Sequence, residues 1–493
     1  MRTLNLILKI SAVILFFGFG KSEGQLRLTL DEAILCARTN SVDAAVALDE
    51  LRTGYWEYRT YRAELLPELT LTGTVPSYHK QYSTYMNAEG NYSFVANNYF
   101  EINGGLSLSQ RIWPTGGTLS VNTSADWLRQ LSGDSYNRYM SIPVALTLQQ
   151  PVFGVNTIRW DRRIEPVRYS EAKAAFLSAT EDVAIQVTGL YFTLLMAREN
   201  RDIARQNLSN AEKLYEVAVE KRNMGQISRN DLLQMELNVL NAQSELTERD
   251  SDLRSAMFQL CAFLDIDSAT DIEPVIPDAV PNVEIGFDEA LEKALTNNKF
   301  AKNQLRVQLE ADYAVAQAKG DLRQIELFAQ IGFTGTASHF GDAYRGLRDN
   351  QVVEIGISIP LIDWGKRRGR VKVAESNRNV TASRLRQEAM RFSQELFLLV
   401  ERYGNQRRQL ELSARADTIA ARRYATNVET YMIGRLSTLD LNDSRVKKDE
   451  SRREYVNELY LYWLYYYQLR SLTLWDFTRG CGIDADIEAL VRR

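Results

Sequence analysis

Hydrophobic and polar positions follow two periodicities, and each periodicity occurs in both halves of the chain. Apolar and polar residues alternate through residues 68–75, as in a strand with one apolar face. The same alternation returns in residues 100–112, 119–127, 142–148, 327–333 and 353–361. Each segment approaches the length of about ten residues that a tilted transmembrane strand needs. The pattern predicts six strands in two clusters, four in the first half and two in the second.

Each strand cluster leads into a long helical pattern. Pro151 and Pro360 mark the predicted strand-to-helix junctions, with Gly365 just after the second, and each proline lies 74 residues before a glycine, Gly225 or Gly434. Each interval accommodates a helix of about 65 residues, about 100 Å long. Apolar positions from Val183 to Ala218 recur at steps of four and three, and the phase is kept from Phe392 to Asn427. This spacing predicts a coiled-coil seam, so the helices must pack against other helices.

Both long helical patterns end in the same short motif. A glycine stands where a helix can end in a left-handed conformation, and a Ser-x-x-Asp follows in which the serine caps the next helix. The motifs and the junction prolines are all separated by 209 residues, which predicts one unit used twice. The two motifs are Gly225, Ser228 and Asp231, and Gly434, Ser437 and Asp440.

These patterns divide the chain into segments. Residues 1–24 combine basic Arg2 and Lys9 with an apolar run, which predicts a secretory signal peptide cut before Gln25. A helix is predicted from Leu28 to Arg62, with Thr29 as its N-cap. The predicted organisation is a signal peptide (1–24), a first repeat (25–264), a crossover rich in proline and acidic residues (265–286), a second repeat (287–475) and a C-terminal segment (476–493).

Composition narrows the function classes. A net charge of −4 offers no electrostatic reason to expect nucleic acid as a partner. No later segment has about 18 uninterrupted apolar residues, so no membrane-spanning helix is indicated. A soluble β-sandwich would also alternate, but an exported chain with strands confined to two clusters favours a β-barrel in a membrane, in contact with its lipid.

The chain offers little material for catalysis. It has two histidines, and its three cysteines, Cys36, Cys261 and Cys481, are too widely spaced for a zinc site. No serine has a histidine or lysine arrangement that suggests a nucleophile. We therefore expect no enzymatic activity, no cofactor and no metal site.

The ordered set of motifs resembles the TolC family of outer-membrane efflux proteins. The resemblance covers residues 28–474 and is carried by residues 355–365, which run from strand into helix, by Tyr431 and Gly434 followed by Asp440, and by residues 65–71. It implies a mixed α+β membrane protein: a homotrimer whose outer-membrane β-barrel continues as a long α-helical coiled-coil barrel through the periplasm, with two repeats per protomer.

The resemblance also implies a function. Members of the family are passive exit ducts of tripartite efflux or type I secretion systems, and they work with a periplasmic adaptor and an inner-membrane pump. Their gate lies at the periplasmic helical tips, and its aspartate rings correspond to Asp440 and Asp443, with Asp231 at the matching position of the first turn. Tyr431 matches a tyrosine that ties neighbouring helices in the closed state.

The sequence departs from the family pattern in two places. Leu436 occupies the position of the family's tip arginine, and Arg435 stands one residue earlier. The first strand cluster carries 48 additional residues, which contain a hairpin turning at residues 114–117. Four strands per protomer give a trimer twelve strands, whereas six would give eighteen.

A second function class remains open from the residues alone. A periplasmic coiled-coil scaffold or adaptor without a pore would account for the helices and the signal peptide. It would leave six amphipathic strands without a role.

Overall fold

The computed structural model describes residues 26–491 except 87–89, 132–134, 269, 278–280, 282, 323, 359–361 and 434. The predicted signal peptide, Pro360 and Gly434 lie outside the described residues. The elements of the first half are β1 (Leu26–Leu28), α1 (Leu30–Asn40), α2 (Val42–Glu64), β2 (Glu68–Met86), β3 (Tyr92–Ile112), β4 (Gly117–Gln130), β5 (Tyr136–Pro151), α3 (Thr157–Asn223) and α4 (Arg229–Leu264).

The second half contains fewer strands. Its elements are β6 (Ile272–Pro274), α5 (Phe287–Asn297), α6 (Lys299–Gly320), β7 (Gln324–Ala337), β8 (Arg348–Ser358), α7 (Lys366–Met432), α8 (Thr438–Thr473), β9 (Trp475–Asp476), β10 (Cys481–Gly482) and α9 (Ile487–Val491). The long helices α3 and α7 each have 67 residues, and α4 and α8 each have 36. The bounds of each pair of helices differ by the 209 residues that separate the sequence motifs.

The chain divides into two compact units. Among the described residues, the sheet unit comprises residues 50–175, 299–392 and 487–491, and the helical unit comprises residues 26–49, 176–298 and 393–486, both with the gaps given above. Among the described helices, none is long and apolar enough to cross a membrane.

The sheet unit contains one six-stranded antiparallel sheet, in the order β2-β3-β4-β5-β7-β8. Each strand pairs with the next along the chain, so the sheet is a simple meander. The sequence correctly predicts six strands, with four in the first half. Their lengths, 11 to 21 residues, exceed the prediction of about ten.

The pairing of β2 with β3 shows why the strands are longer than the alternation predicts. These strands pair from Glu68 opposite Ser109 to Met86 opposite Tyr92, with a register shift between Thr74 and Ser77. Such a bulge adds a residue to one strand, so side chains beyond it change face. The apolar alternation therefore breaks near Val75 although the strand continues.

The predicted helix from Leu28 to Arg62 is wrong in two respects. Leu28 belongs to β1, which pairs in parallel with β6 inside the predicted crossover. Ser41 then separates α1 from α2: its backbone is extended, and its hydroxyl accepts a hydrogen bond from the Ala44 amide at 3.2 Å. A serine side chain that bonds to nearby backbone competes with the helix and favours a new N-terminus. Thr29 does cap α1, in a capping box with Glu32.

The core of the helical unit follows the predicted seam closely on α7. Leu396, Leu399, Tyr403, Gln406, Leu410 and Ser413 are all buried. On α3 the buried surface is wider than a single seam, because Tyr191, Phe192 and Leu195 are buried beside Val187 and Leu194.

Helix α3 also carries a buried charge. The carboxylate of Glu181, 1% exposed, accepts hydrogen bonds from Arg38 at 2.5 Å and from Arg470 at 3.1 Å.

Candidate functional site: the helix turns

The first turn joins α3 to α4 within the helical unit. Gly225 has a φ of 74°, a left-handed conformation that costs glycine little. The Gln226 amide donates to the carbonyl of Lys221 at 2.9 Å, and the Gly225 amide donates to that of Arg222 at 2.9 Å. This pair of bonds closes α3 as a Schellman motif. Arg222 also donates a side-chain hydrogen bond to the carbonyl of Ile227 at 3.1 Å, so the turn is held by side chain as well as backbone.

Ser228 and Asp231 form a capping box at the start of α4. The Asp231 amide donates to the Ser228 hydroxyl oxygen at 3.1 Å, and the Asp231 carboxylate accepts from the Ser228 amide at 3.0 Å and its hydroxyl at 2.7 Å. The Ser228 hydroxyl and then its amide lower the pKa of Asp231. Because the carboxylate form is favoured in the folded state, the cap is complete at neutral pH and is lost only as pH falls below the usual aspartate range.

The second turn joins α7 to α8 with similar chemistry. Gly434 lies outside the described residues, but the Arg435 amide donates to the carbonyl of Thr430 at 3.1 Å, the same spacing as the bond that closes α3. Ser437 caps α8: its hydroxyl oxygen accepts from the Asp440 amide at 3.1 Å and its hydroxyl donates to the Asp440 carboxylate at 2.6 Å. Asp440 is therefore engaged in capping while it remains exposed to solvent.

The other two predicted gate residues contact basic side chains. Asp443 accepts a hydrogen bond from the Arg423 guanidinium at 3.0 Å, and both side chains are about half exposed. The ammonium of Lys221, on α3, lies 5.8 Å from the centre of the Tyr431 ring, on α7. Tyr431 thus contacts the last turn of the neighbouring long helix, whereas Asp443 is partly neutralised within its own hairpin.

The partner of Asp443, Arg423, is not among the residues predicted from the sequence. A usable signal is present, because the two residues lie about ten positions on either side of the Gly434 turn, and antiparallel helices bring such positions together. The apolar surface of the turns is not predicted either. Met224, Ile433 and Leu439 are 63%, 68% and 77% exposed.

The strand-to-helix junctions lie in the sheet unit. Pro151 is the last residue of β5, and Gly365 has a φ of 82° directly before α7. The Asp363 carboxylate accepts hydrogen bonds from the amides of Gly365 at 2.9 Å and Arg367 at 3.1 Å, which caps α7. Within the described part of the chain, no group of three or more His, Cys, Asp or Glu residues is arranged to hold a metal ion.

The whole fold matches solved structures of outer-membrane channels. The CmeC outer membrane channel of Campylobacter jejuni is 16% identical, with a TM-score of 0.66 over 94% of this chain and 88% of that one. The outer membrane protein VceC of Vibrio cholerae is 15% identical, with a TM-score of 0.63 over 92% and 97%. The MtrE outer membrane channel of Neisseria gonorrhoeae is 14% identical, with a TM-score of 0.59 over 93% and 90%.

Sequence comparison gives a family match over part of the chain. No curated protein matches the chain in sequence. The family model described as outer membrane efflux protein matches residues 36–264. This match and the shared fold confirm the resemblance stated from the sequence motifs.

Proposed function

We propose that this protein is the outer-membrane exit duct of a tripartite efflux or type I secretion system. It would be a passive channel, gated at the turns that join α3 to α4 and α7 to α8. The observation that carries the proposal is the six-stranded sheet with an exposed apolar face, which leads directly into 67-residue helices. The family of residues 36–264 and the shared fold support it.

The two faces of the sheet differ in the way that a membrane strand requires. On one face, apolar side chains of every strand are exposed, including Leu71, Leu108, Val121, Leu146, Ile331 and Val353. On the other face, Ser107, Asn122 and Thr147 of three successive strands form a hydrogen-bonded ladder, at 2.6 and 3.1 Å. An apolar face of this extent is typical of a membrane or protein contact, and its alternation with a polar face is typical of outer-membrane barrels.

The gate would lie at the helix turns. In an assembly whose turns surround a common axis, Asp443 and Asp440 would repeat once per copy and form rings of carboxylates. Such a ring favours cations over anions, and multivalent cations that bind to it would block the channel. Asp231 would add a second, capped carboxylate per copy, and Tyr431 would tie α7 to α3 when the entrance is shut. The exposed Met224, Ile433 and Leu439 suit the docking of a periplasmic adaptor, which would connect the duct to an inner-membrane pump.

The proposed assembly is a homotrimer in the outer membrane, with the helical region in the periplasm and two repeats in each protomer. Six strands are fewer than the eight or so that close even a small barrel, so copies must combine. A pore-free periplasmic scaffold explains the exposed apolar face less well, since nothing in that role would cover it.

Membrane extraction followed by conductance measurement tests the proposal. We expect the full-length protein to fractionate with outer membranes, to resist extraction by alkaline carbonate and to require detergent. Purified in detergent, it should insert into planar lipid bilayers and produce discrete conductance steps. Release by carbonate together with silent bilayers would instead support the pore-free scaffold.

A further inference from the structure

The hairpin β3-β4 accounts for the additional residues of the first strand cluster. Strand β4 lies between β3 and β5 and pairs with both of them over nearly its whole length. The polar ladder also passes through β4. The side-chain Nδ2 of Asn122 donates to the Thr147 hydroxyl at 3.1 Å, and its Oδ1 accepts from the Ser107 hydroxyl at 2.6 Å. The hairpin is thus an integral part of the sheet.

The turn of this hairpin is fastened beside the start of α3. The side chain of Asn156 accepts a hydrogen bond from the Arg159 backbone amide through Oδ1 at 3.0 Å and donates one through Nδ2 to the backbone carbonyl of Trp113 at 2.8 Å. Gln150 donates to the carbonyl of Thr115 at 3.0 Å, and the Arg162 guanidinium lies 4.3 Å from the centre of the Trp113 ring. The β3-β4 turn therefore lies at the helix-side end of the sheet, level with the ends of the neighbouring strands.

The two outer strands of the sheet have complementary directions. β2 begins four residues after α2 ends, and β8 ends eight residues before α7 begins. β2 therefore runs away from the helices and β8 runs towards them. Within the described residues, neither strand has a partner on its outer side. Long apolar edges of this kind pair readily with another chain, and β2 of one copy next to β8 of another is antiparallel.

We infer that β3 and β4 form part of the wall of the pore, which closes through β2-β8 pairing between copies as an eighteen-stranded barrel. The inference rests on the proposed trimeric channel. With strands about 4.8 Å apart and tilted by about 40°, eighteen strands give a backbone diameter of about 36 Å and twelve strands about 24 Å. The membrane section of this duct is accordingly half again as wide as a barrel of four strands per copy.

Adjacent cysteines on β4 test its place in the wall. Cys36, Cys261 and Cys481 are first replaced by Ser, Ala and Ser. Ser120→Cys lies on the polar face of the sheet and Val121→Cys on the apolar face. In intact outer-membrane vesicles, a water-soluble maleimide should label the cysteine at position 120 about tenfold faster than the cysteine at position 121, because lipid shields position 121. Gln330→Cys and Ile331→Cys on β7 are the matched control pair, with the same polar-then-apolar order.

The control pair separates failure of this inference from failure of the proposed function. Equal or reversed labelling at 120 and 121, with alternation kept at 330 and 331, would place β4 outside the wall and overturn the wide barrel alone. Loss of alternation at both pairs would mean that the sheet does not face lipid, which would overturn the membrane channel as well.

Crosslinking tests closure between copies. A pairing that keeps the apolar face continuous places Leu71 beside Val353 or Ile355 of the next copy, because all three share that face. Leu71→Cys combined with Val353→Cys or with Ile355→Cys should form disulfide-linked oligomers under mild oxidation. Leu71→Cys with Glu354→Cys places the thiols on opposite faces and should not. Crosslinking that is equal in both combinations, or absent from all, would contradict the β2-β8 seam.

Discussion

Asp443 is the predicted gate residue whose charge the structure modifies most directly. Its carboxylate is paired with Arg423 across the α7-α8 turn at 3.0 Å. Asp440 has no such basic partner among the described residues, and its carboxylate accepts from the Ser437 hydroxyl. The negative charge at the α7-α8 turn therefore depends on a basic residue that the motif itself does not contain.

Removal of the carboxylates and removal of the arginine should have opposite effects. Asp440→Ala with Asp443→Ala should raise single-channel conductance and weaken block by multivalent cations, because the constriction becomes wider and loses negative charge. Arg423→Ala should strengthen that block by up to about fivefold, since an exposed ion pair stabilises by about 0.2–1 kcal/mol. Single-channel conductance is recorded in planar bilayers, and the block is measured by titrating a trivalent cation into the same bilayers.

Arg422→Ala is the matched control for Arg423→Ala, since it removes the same charge from the adjacent position and Asp443 is paired with Arg423. It should leave the block nearly unchanged. If both arginine variants shift the block equally, the effect is one of overall charge and Asp443 does not line the constriction.

At the scale of elements, Tyr191 joins the longest helix of the first half to the small parallel sheet. Its hydroxyl lies 2.6 Å from the carbonyl oxygen of Val275 and 2.9 Å from that of Leu28, and it accepts from the Val275 amide at 2.8 Å. The side chain is fully buried, and burial raises the pKa of Tyr191 far above its usual value. The hydroxyl therefore stays protonated and available as a donor.

Tyr191→Phe should lower the free energy of unfolding by about 1–3 kcal/mol, because it leaves the carbonyl of buried Leu28, in β1, and the backbone groups of Val275, next to β6, without one of their partners. Thermal unfolding of the detergent-purified protein measures the effect. Tyr215→Phe, on the same helix with its ring partly exposed, is the control and should change little. Equal stability of the two variants would show that the hydroxyl of Tyr191 does not hold the small sheet to α3.

At the scale of the whole molecule, the two outer strands of the six-stranded sheet bear on the proposed assembly. An open sheet with two unpaired apolar edges cannot satisfy its outer backbone groups in a lipid bilayer, where no water replaces the missing partners. Closure by identical copies satisfies them all, since β2 and β8 run in opposite directions.

The particle purified in mild detergent should have three times the mass of the mature chain, as measured by native mass spectrometry. Two copies would give twelve strands and would contradict the eighteen-stranded barrel. A monomeric particle would contradict closure between copies altogether.

The sequence by itself determined the elements that depend on local spacing. Period-two alternation marked all six strands, and steps of four and three along α7 marked residues that are buried. Gly225 and the two Ser-x-x-Asp motifs marked the turns, because a left-handed residue and a side-chain cap are requirements of the immediate backbone. These features are readable because each depends on residues only a few positions apart.

Tertiary structure decided what depends on distant residues. The bulge in β2 and the helix break at Ser41 changed the predicted bounds, while Arg423 beside Asp443 and Tyr191 beside Val275 arise only when separate elements pack together. The position of β4 between β3 and β5 is the most consequential case. Alternation shows that a strand has an apolar face, but only hydrogen bonding between strands decides whether that strand belongs to the sheet, since pairing depends on contacts between chain segments and not on periodicity within one.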